Sequence, residues 1–159
     1  MFAEGWPRQP LILNHFGRSK KLLEIGCGEG HQSEKLANVC DKLFGIDVSH
    51  RAVERAARRC APGLFAVGDV FTVPFLKSEE PFDLVVACEV LYYVKDIRAV
   101  MTQMQRLGRS CFVTYLGLQH EMLAPFLDEL PGQQSEEFSY DDTHWRAVWW
   151  PSRQPQFGR

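Results

Sequence analysis

A chain of 159 residues, 45% apolar and 24% charged, can bury one sizeable core and reads as an ordinary globular domain, neither fibrous nor disordered. Its formal net charge of −2 gives no electrostatic reason to expect a nucleic-acid partner. The five cysteines (Cys27, Cys40, Cys60, Cys88 and Cys111) are odd in number and widely spaced, which argues against a zinc site or a disulfide framework and for a reducing compartment.

Residues 1–19 hold Trp6, Pro7 and Pro10, a short apolar run and Phe16, and read as a brief helix or ordered arm. Trp6 and Phe16 would either cap the core edge or lay this arm across a ligand mouth. The stretch KKLLEIGCGEGHQSEKLAN follows, and the rest of the chain is organised around it. An apolar strand at 21–25 turns through Gly26, Gly28 and Gly30 into a helix carrying Leu36 and Ala37 on its apolar side. Alternate glycines let backbone come close to a ligand, and the helix start offers unpaired N–H groups to an anion. The dinucleotide fingerprint G-x-G-x-x-G requires a glycine at position 31, where His31 stands. The pattern present is instead E-x-G-x-G-x-G, headed by Glu24.

A second strand at 42–46 ends in Asp47, and a helix capped by Ser49 follows, with Ala52, Val53, Ala56, Ala57 and Cys60 at helical spacing. Arg51, Arg55, Arg58 and Arg59 share that helix; Glu54 interrupts them, and they read as a solvated face. A third strand at 64–67 leads to Asp69, and a long turn spans 71–81. The run FDLVVAC at 82–88 has the composition of a central buried strand. Ile97, Val100, Met101, Met104 and Leu107 mark a helix with Gly108 as its C-terminal stop, and 111–116 a fifth strand. Met122, Leu123, Phe126, Leu127 and Leu130 give a last helix, ended by Pro131-Gly132. Two short aromatic runs around Asp141-Asp142 predict an antiparallel hairpin.

Strand and helix alternate five times, so the expected fold is α/β: a doubly wound, mostly parallel sheet with helices on both faces, brought to seven strands by the C-terminal hairpin. The whole of 1–159 is expected to form one domain. Ligands of such sheets lie at the carboxyl ends of the strands. Four strand ends then share one crevice: the glycine turn, Asp47, Asp69, and Cys88 with Glu89. Asp47, 17 residues past Gly30, suits vicinal ribose hydroxyls. Asp69, the Val70 backbone and the side chains of Val48 and Phe71 suit an adenine ring.

The motif at 24–30 resembles motif I of the class I S-adenosylmethionine-dependent methyltransferases, and the likeness extends from about residue 20 to 116. Within that superfamily the runs LEIGCGEGHQSEKLA, GIDVS and FDLVVACEVLYYV look most like the nodulation-factor N-methyltransferase and its relatives. The resemblance implies an enzyme that takes S-adenosyl-L-methionine and releases S-adenosyl-L-homocysteine, acting on a small-molecule acceptor at N or O. It places Glu24, Gly26 and Gly28 at the methionine end, Asp47 at the ribose and Asp69 at the adenine; Cys27, Gly30, His31, Val48, Val70, Phe71 and Cys88 complete the expected cofactor-binding residues. Glu89 and Tyr92 are the leading acceptor-side candidates, ahead of Tyr93, Tyr115, His120, His144 and Trp145. The segment after the fourth strand is A-C-E-V, unlike the N/D-P-P-Y/F signature of enzymes that methylate base amines. The acceptor cap common in the superfamily is not legible, which leaves that side either open or completed by a second subunit or a partner protein. No metal site is expected. With no signal-like segment and no apolar run of bilayer length, the expected location is cytoplasmic, without a membrane partner.

Overall fold

The computed structural model describes residues 8–72 and 80–152. Trp6 and Pro7, named above, and residues 73–79 of the expected long turn lie outside these residues. Among the described residues, five α-helices and seven strands follow one another: α1 Arg8–Phe16, β1 Ser19–Ile25, α2 His31–Leu36, β2 Cys40–Asp47, α3 His50–Arg59, β3 Leu64–Val67, β4 Phe82–Cys88, α4 Ile97–Leu107, β5 Gly108–Leu116, α5 His120–Leu127, β6 Gln134–Tyr140 and β7 Thr143–Pro151. They form one sheet in the order β3-β2-β1-β4-β5-β7-β6. The pairs from β3 through β5 are parallel, whereas β7 is antiparallel to both β5 and β6.

Burial explains why the central strands carry apolar runs instead of alternating patterns. On one face Leu23, Ile25, Val85, Ala87 and Val113 pack beneath Met101 and Met104 of α4 and Leu123 and Leu127 of α5. On the other, Leu22, Leu84, Val86 and Phe112 pack beneath Leu11 and Ile12 of α1 and Leu36 of α2. A strand covered on both faces is apolar at every position, and each fully buried aliphatic side chain contributes about 1.5–3 kcal/mol. The edge strand β6 is exposed along most of its length and carries Glu136 and Glu137, charges that discourage edge-to-edge pairing.

Local chemistry sets the element boundaries. Ser49 Oγ accepts from the Ala52 N–H at 3.3 Å, the expected cap of α3. Asp96 caps α4 in the same way, accepting from Ala99 N at 2.9 Å. The hairpin turns on Asp141 and Asp142, both at positive φ (47° and 59°), the conformation a two-residue hairpin turn demands. Phe16 of α1 meets Phe112 edge-on at 6.4 Å and packs against the core.

Gly108 caps the end of α4 as expected, its N–H donating to the Met104 carbonyl, but with an extended backbone (φ −130°) instead of a left-handed one, and it opens β5. A Cβ there would sit 2.5 Å from Val85 Cγ2, so glycine permits the close approach of β5 to β4. The last helix ends at Leu127, and Leu130 lies in the turn beyond, its N–H bonded to the Leu127 carbonyl at 3.2 Å.

The register fixes the site. Ile25 pairs with both Ile46 and Ala87, and Cys88 pairs with Thr114. Residues one step past that row therefore stand side by side along the carboxyl edge: Asp47, Gly26, Cys88 and Thr114.

Candidate active site

The glycine turn is bound to the end of β2. The N–H groups of Gly26 and Cys27 both donate to the Ile46 carbonyl, at 2.8 and 2.9 Å. Gly28 N–H donates to Asp47 Oδ2 and Ser49 N–H to Asp47 Oδ1, each at 2.9 Å. Asp47 thus holds the turn and the entry to α3 at once.

The three glycines of the turn have left-handed φ (70°, 53° and 87°), but each answers a different constraint. A Cβ on Gly26 would meet Val90 Cγ2 at 2.5 Å, and one on Gly30 would meet the Ala56 backbone at 2.8 Å. Nothing lies within 4 Å of the Cβ position on Gly28. Gly30 is therefore glycine so that α3 can pack against the turn, while Gly28 leaves open room for a ligand to approach backbone.

The α3 arginines form an exposed face, as expected, and two of them also brace this turn. Arg55 pairs with the Glu29 carboxylate, and Arg59 Nε donates to the Glu29 carbonyl at 3.1 Å. α2 has six residues, and Ala37, expected on its apolar side, falls in the 3-10 turn that follows.

At the carboxyl ends of β1 to β4 lies a cavity of about 890 Å³. Asp47, Asp69 and Glu89 bring carboxylates to it. Val48, Val70 and Phe71 form an apolar section of its wall; Val48 is 77% and Phe71 55% exposed, apolar surface that a planar ring would cover. Gly26, Cys88 and Tyr92 line it as well. Asp69 is held by its own loop, its Oδ1 accepting from Phe71 N–H at 2.8 Å and Thr72 Oγ1 at 3.2 Å.

The remaining expected cofactor residues lie outside the cavity wall. Glu24 is only 3% exposed and accepts from the buried Ser33 hydroxyl at 2.5 Å, beneath the turn. Cys27 is buried, and burial, followed by the charges of Glu24 and Asp47, pushes its thiol up to about 12, so it stays protonated. The His31 ring is exposed, 3.9 Å from a Glu29 oxygen.

On the acceptor side, Glu89 has a left-handed backbone at φ 56° and its Oε1 accepts from Thr114 Oγ1 at 2.9 Å. Tyr92 stacks obliquely on Tyr93 at 4.5 Å, and Tyr93, also on the wall, is 79% exposed. The other aromatic and histidine candidates are not on the wall. Tyr115 is buried, its hydroxyl 3.1 Å from His120 Nδ1, and burial pushes its phenol up to about 12. His144 pairs with Ser139 on the hairpin at 2.5 Å, and Trp145 stacks on Phe138 at 5.9 Å.

Sequence reasoning missed Val90, Lys95, Ser33 and Thr114. Val90 and Lys95 line the cavity, and no local pattern distinguishes them. Ser33 and Thr114 were visible only as polar interruptions of apolar faces.

Seven strands in this order, with an antiparallel β7 and a glycine turn facing an acidic residue at the end of β2, define the class I methyltransferase fold. The chain belongs to the methyltransferase domain family, whose match covers residues 23–110. It is 39% identical over 91 residues to nodulation protein S of Sinorhizobium fredii, covering 57% of this chain and 42% of that protein. It is 24% identical over 115 residues to a ubiquinone biosynthesis O-methyltransferase of Pelagibacter ubique, covering 72% and 48%. The chain therefore spans less than half the length of these curated relatives. The same fold occurs in the N-methyltransferase NodS from Bradyrhizobium japonicum WM9, solved with S-adenosyl-L-homocysteine, at a TM-score of 0.75 and 24% identity over 92% of this chain and 86% of that one.

Proposed function

We propose that this chain forms one methyltransferase domain that takes S-adenosyl-L-methionine as methyl donor and acts on a small-molecule acceptor at N or O, releasing S-adenosyl-L-homocysteine. The observation that carries the reading is the cavity at the strand ends, where three carboxylates and two exposed apolar side chains converge beside Gly26 of the glycine turn. The relatives named for N- and O-methylation support it.

When bound, the sulfonium supplies an already activated methyl group whose bonding electrons stay on sulfur. The protein then has to orient and desolvate the reactants. Asp47 accepts from the ribose hydroxyls while keeping Gly28 in place. Asp69 and the Val70 backbone read the adenine edge, and Val48 and Phe71 cover its faces. Glu24 acts from beneath, through Ser33, by fixing the turn that meets the methionine end. Glu89 and Tyr92 meet the acceptor; the carboxylate suits a neutral amine or a hydroxyl that must lose a proton, and repels an anion.

Release of S-adenosyl-L-homocysteine in the presence of small primary amines and phenols tests this assignment. Glu89→Gln and Tyr92→Phe should lower kcat by about 10- to 100-fold, with affinity for S-adenosyl-L-homocysteine kept near wild type. Loss confined to that affinity would remove both residues from the acceptor side. A wild-type chain that binds S-adenosyl-L-homocysteine but turns over no acceptor would make this a binding domain.

A further inference from the structure

We propose that Thr114 is the positioning residue of the acceptor side, holding the Glu89 carboxylate in one orientation at the cavity. The inference rests on the reading that Glu89 serves the acceptor, and it assigns a role to a residue outside the cavity wall.

Thr114 lies in a stretch of β5 where Phe112, Val113 and Tyr115 are all buried, and is itself 2% exposed. A hydroxyl in such a place is costly unless it is hydrogen-bonded. Thr114 Oγ1 donates to Glu89 Oε1 at 2.9 Å, and its carbonyl accepts from the Glu89 N–H at 2.8 Å. One residue therefore holds both the backbone and the carboxylate of the other. The register makes this possible, because Cys88 pairs with Thr114 and Glu89 is the next residue out of β4.

Two further features give the contact functional weight. Glu89 is left-handed, at φ 56°, a conformation costly for any residue with a Cβ; such outliers persist where their surroundings over-determine them. A donated hydrogen bond also favours a carboxylate over its protonated form. The buried Ser33–Glu24 pair has the same chemistry, but Glu24 stays off the cavity wall, whereas Glu89 forms part of it.

Valine at position 114 would retain the shape and β-branching and delete only the hydroxyl. The other titratable groups on the wall (Asp47, Asp69, Cys88, Tyr92, Tyr93 and Lys95) are unchanged by that substitution, so its effect reports the hydroxyl.

The test is a carbon-13 carboxyl NMR titration of Glu89 in the intact chain, with and without S-adenosyl-L-homocysteine, alongside calorimetric affinity for that compound. In Thr114→Val the Glu89 carboxyl should titrate about 0.5–1 pH unit higher than in wild type, and Thr114→Ser should restore it. Affinity for S-adenosyl-L-homocysteine should stay within about twofold of wild type. An unmoved titration overturns the proposal. A moved titration with a parallel loss of affinity also overturns it, by assigning the pair to the cofactor. A wild-type chain that does not bind S-adenosyl-L-homocysteine contradicts the proposed function instead, while the titration still decides whether Thr114 holds Glu89.

Discussion

Asp47→Ala is expected to weaken binding of S-adenosyl-L-homocysteine by about 10- to 100-fold, equivalent to about 1–3 kcal/mol for polar groups left unpaired in a closed site. The side chain has two duties. Its oxygens accept from the Gly28 and Ser49 N–H groups, and in the proposed complex it also accepts from the ribose hydroxyls. Alanine removes the ribose partner and frees the glycine turn together. Asp47→Asn, with one carbonyl oxygen left, can satisfy only part of this set and should fall between wild type and alanine. Calorimetric titration measures all three proteins. Unchanged affinity in a folded Asp47→Ala protein would remove Asp47 from the site.

The second large effect is on stability. Gly30→Ala should cost about 2–5 kcal/mol, combining about 1–2 for a left-handed residue that gains a Cβ with about 1–3 for overpacking. The new methyl would lie 2.8 Å from the Ala56 Cα and 3.1 Å from its Cβ. These atoms belong to α3 and cannot swing aside as a flexible side chain can, so α3 must move. A fall in melting temperature of about 5–10 °C would report it. Gly28→Ala is the matched control: no neighbour lies within 4 Å of its Cβ position, so its stability loss should be limited to the conformational part, about 1–2 kcal/mol. Its affinity for S-adenosyl-L-homocysteine should nonetheless drop. Equal melting temperatures for the two variants would contradict the packing assigned to Gly30, and normal binding by Gly28→Ala would show that the turn does not approach the ligand.

These two glycines show how far the sequence could be read. Their spacing marked a strand-to-helix turn with close backbone approach, and that turn is present. The separate reason for each was not legible, because it depends on whether α3 packs against that position, as it does at Gly30 and does not at Gly28. Gly108 shows the same limit: its place at the end of α4 was legible, but the close approach that requires glycine there was not, because Val85 is 23 positions away in sequence and adjacent only in the sheet. Acidic residues at strand ends were easier to read, since parallel register carries successive strand termini to one edge. Asp47, Asp69 and Glu89 all reach the cavity for that reason. Glu24 ends a strand too, yet turns beneath the edge to Ser33, and alternation of side chains along β1 could not be phased from the sequence alone. The hairpin was legible because Asp141-Asp142 is a local signal bounded by aromatic runs. Tyr115 and His120, attractive as isolated chemistry, satisfy each other, a pairing that only the fold reveals.

The most direct measurement is a crystal structure of the chain with S-adenosyl-L-homocysteine. The compound should lie at the carboxyl ends of β1 to β4, with its ribose hydroxyls within hydrogen-bonding distance of the Asp47 carboxylate. Its adenine should lie between Val48 and Phe71, and its sulfur should face the side of the cavity that holds Glu89 and Tyr92. Binding at any other surface, or a complex in which Asp47 contacts only Gly28 and Ser49, would contradict the assignment of this cavity as the methyl-donor site.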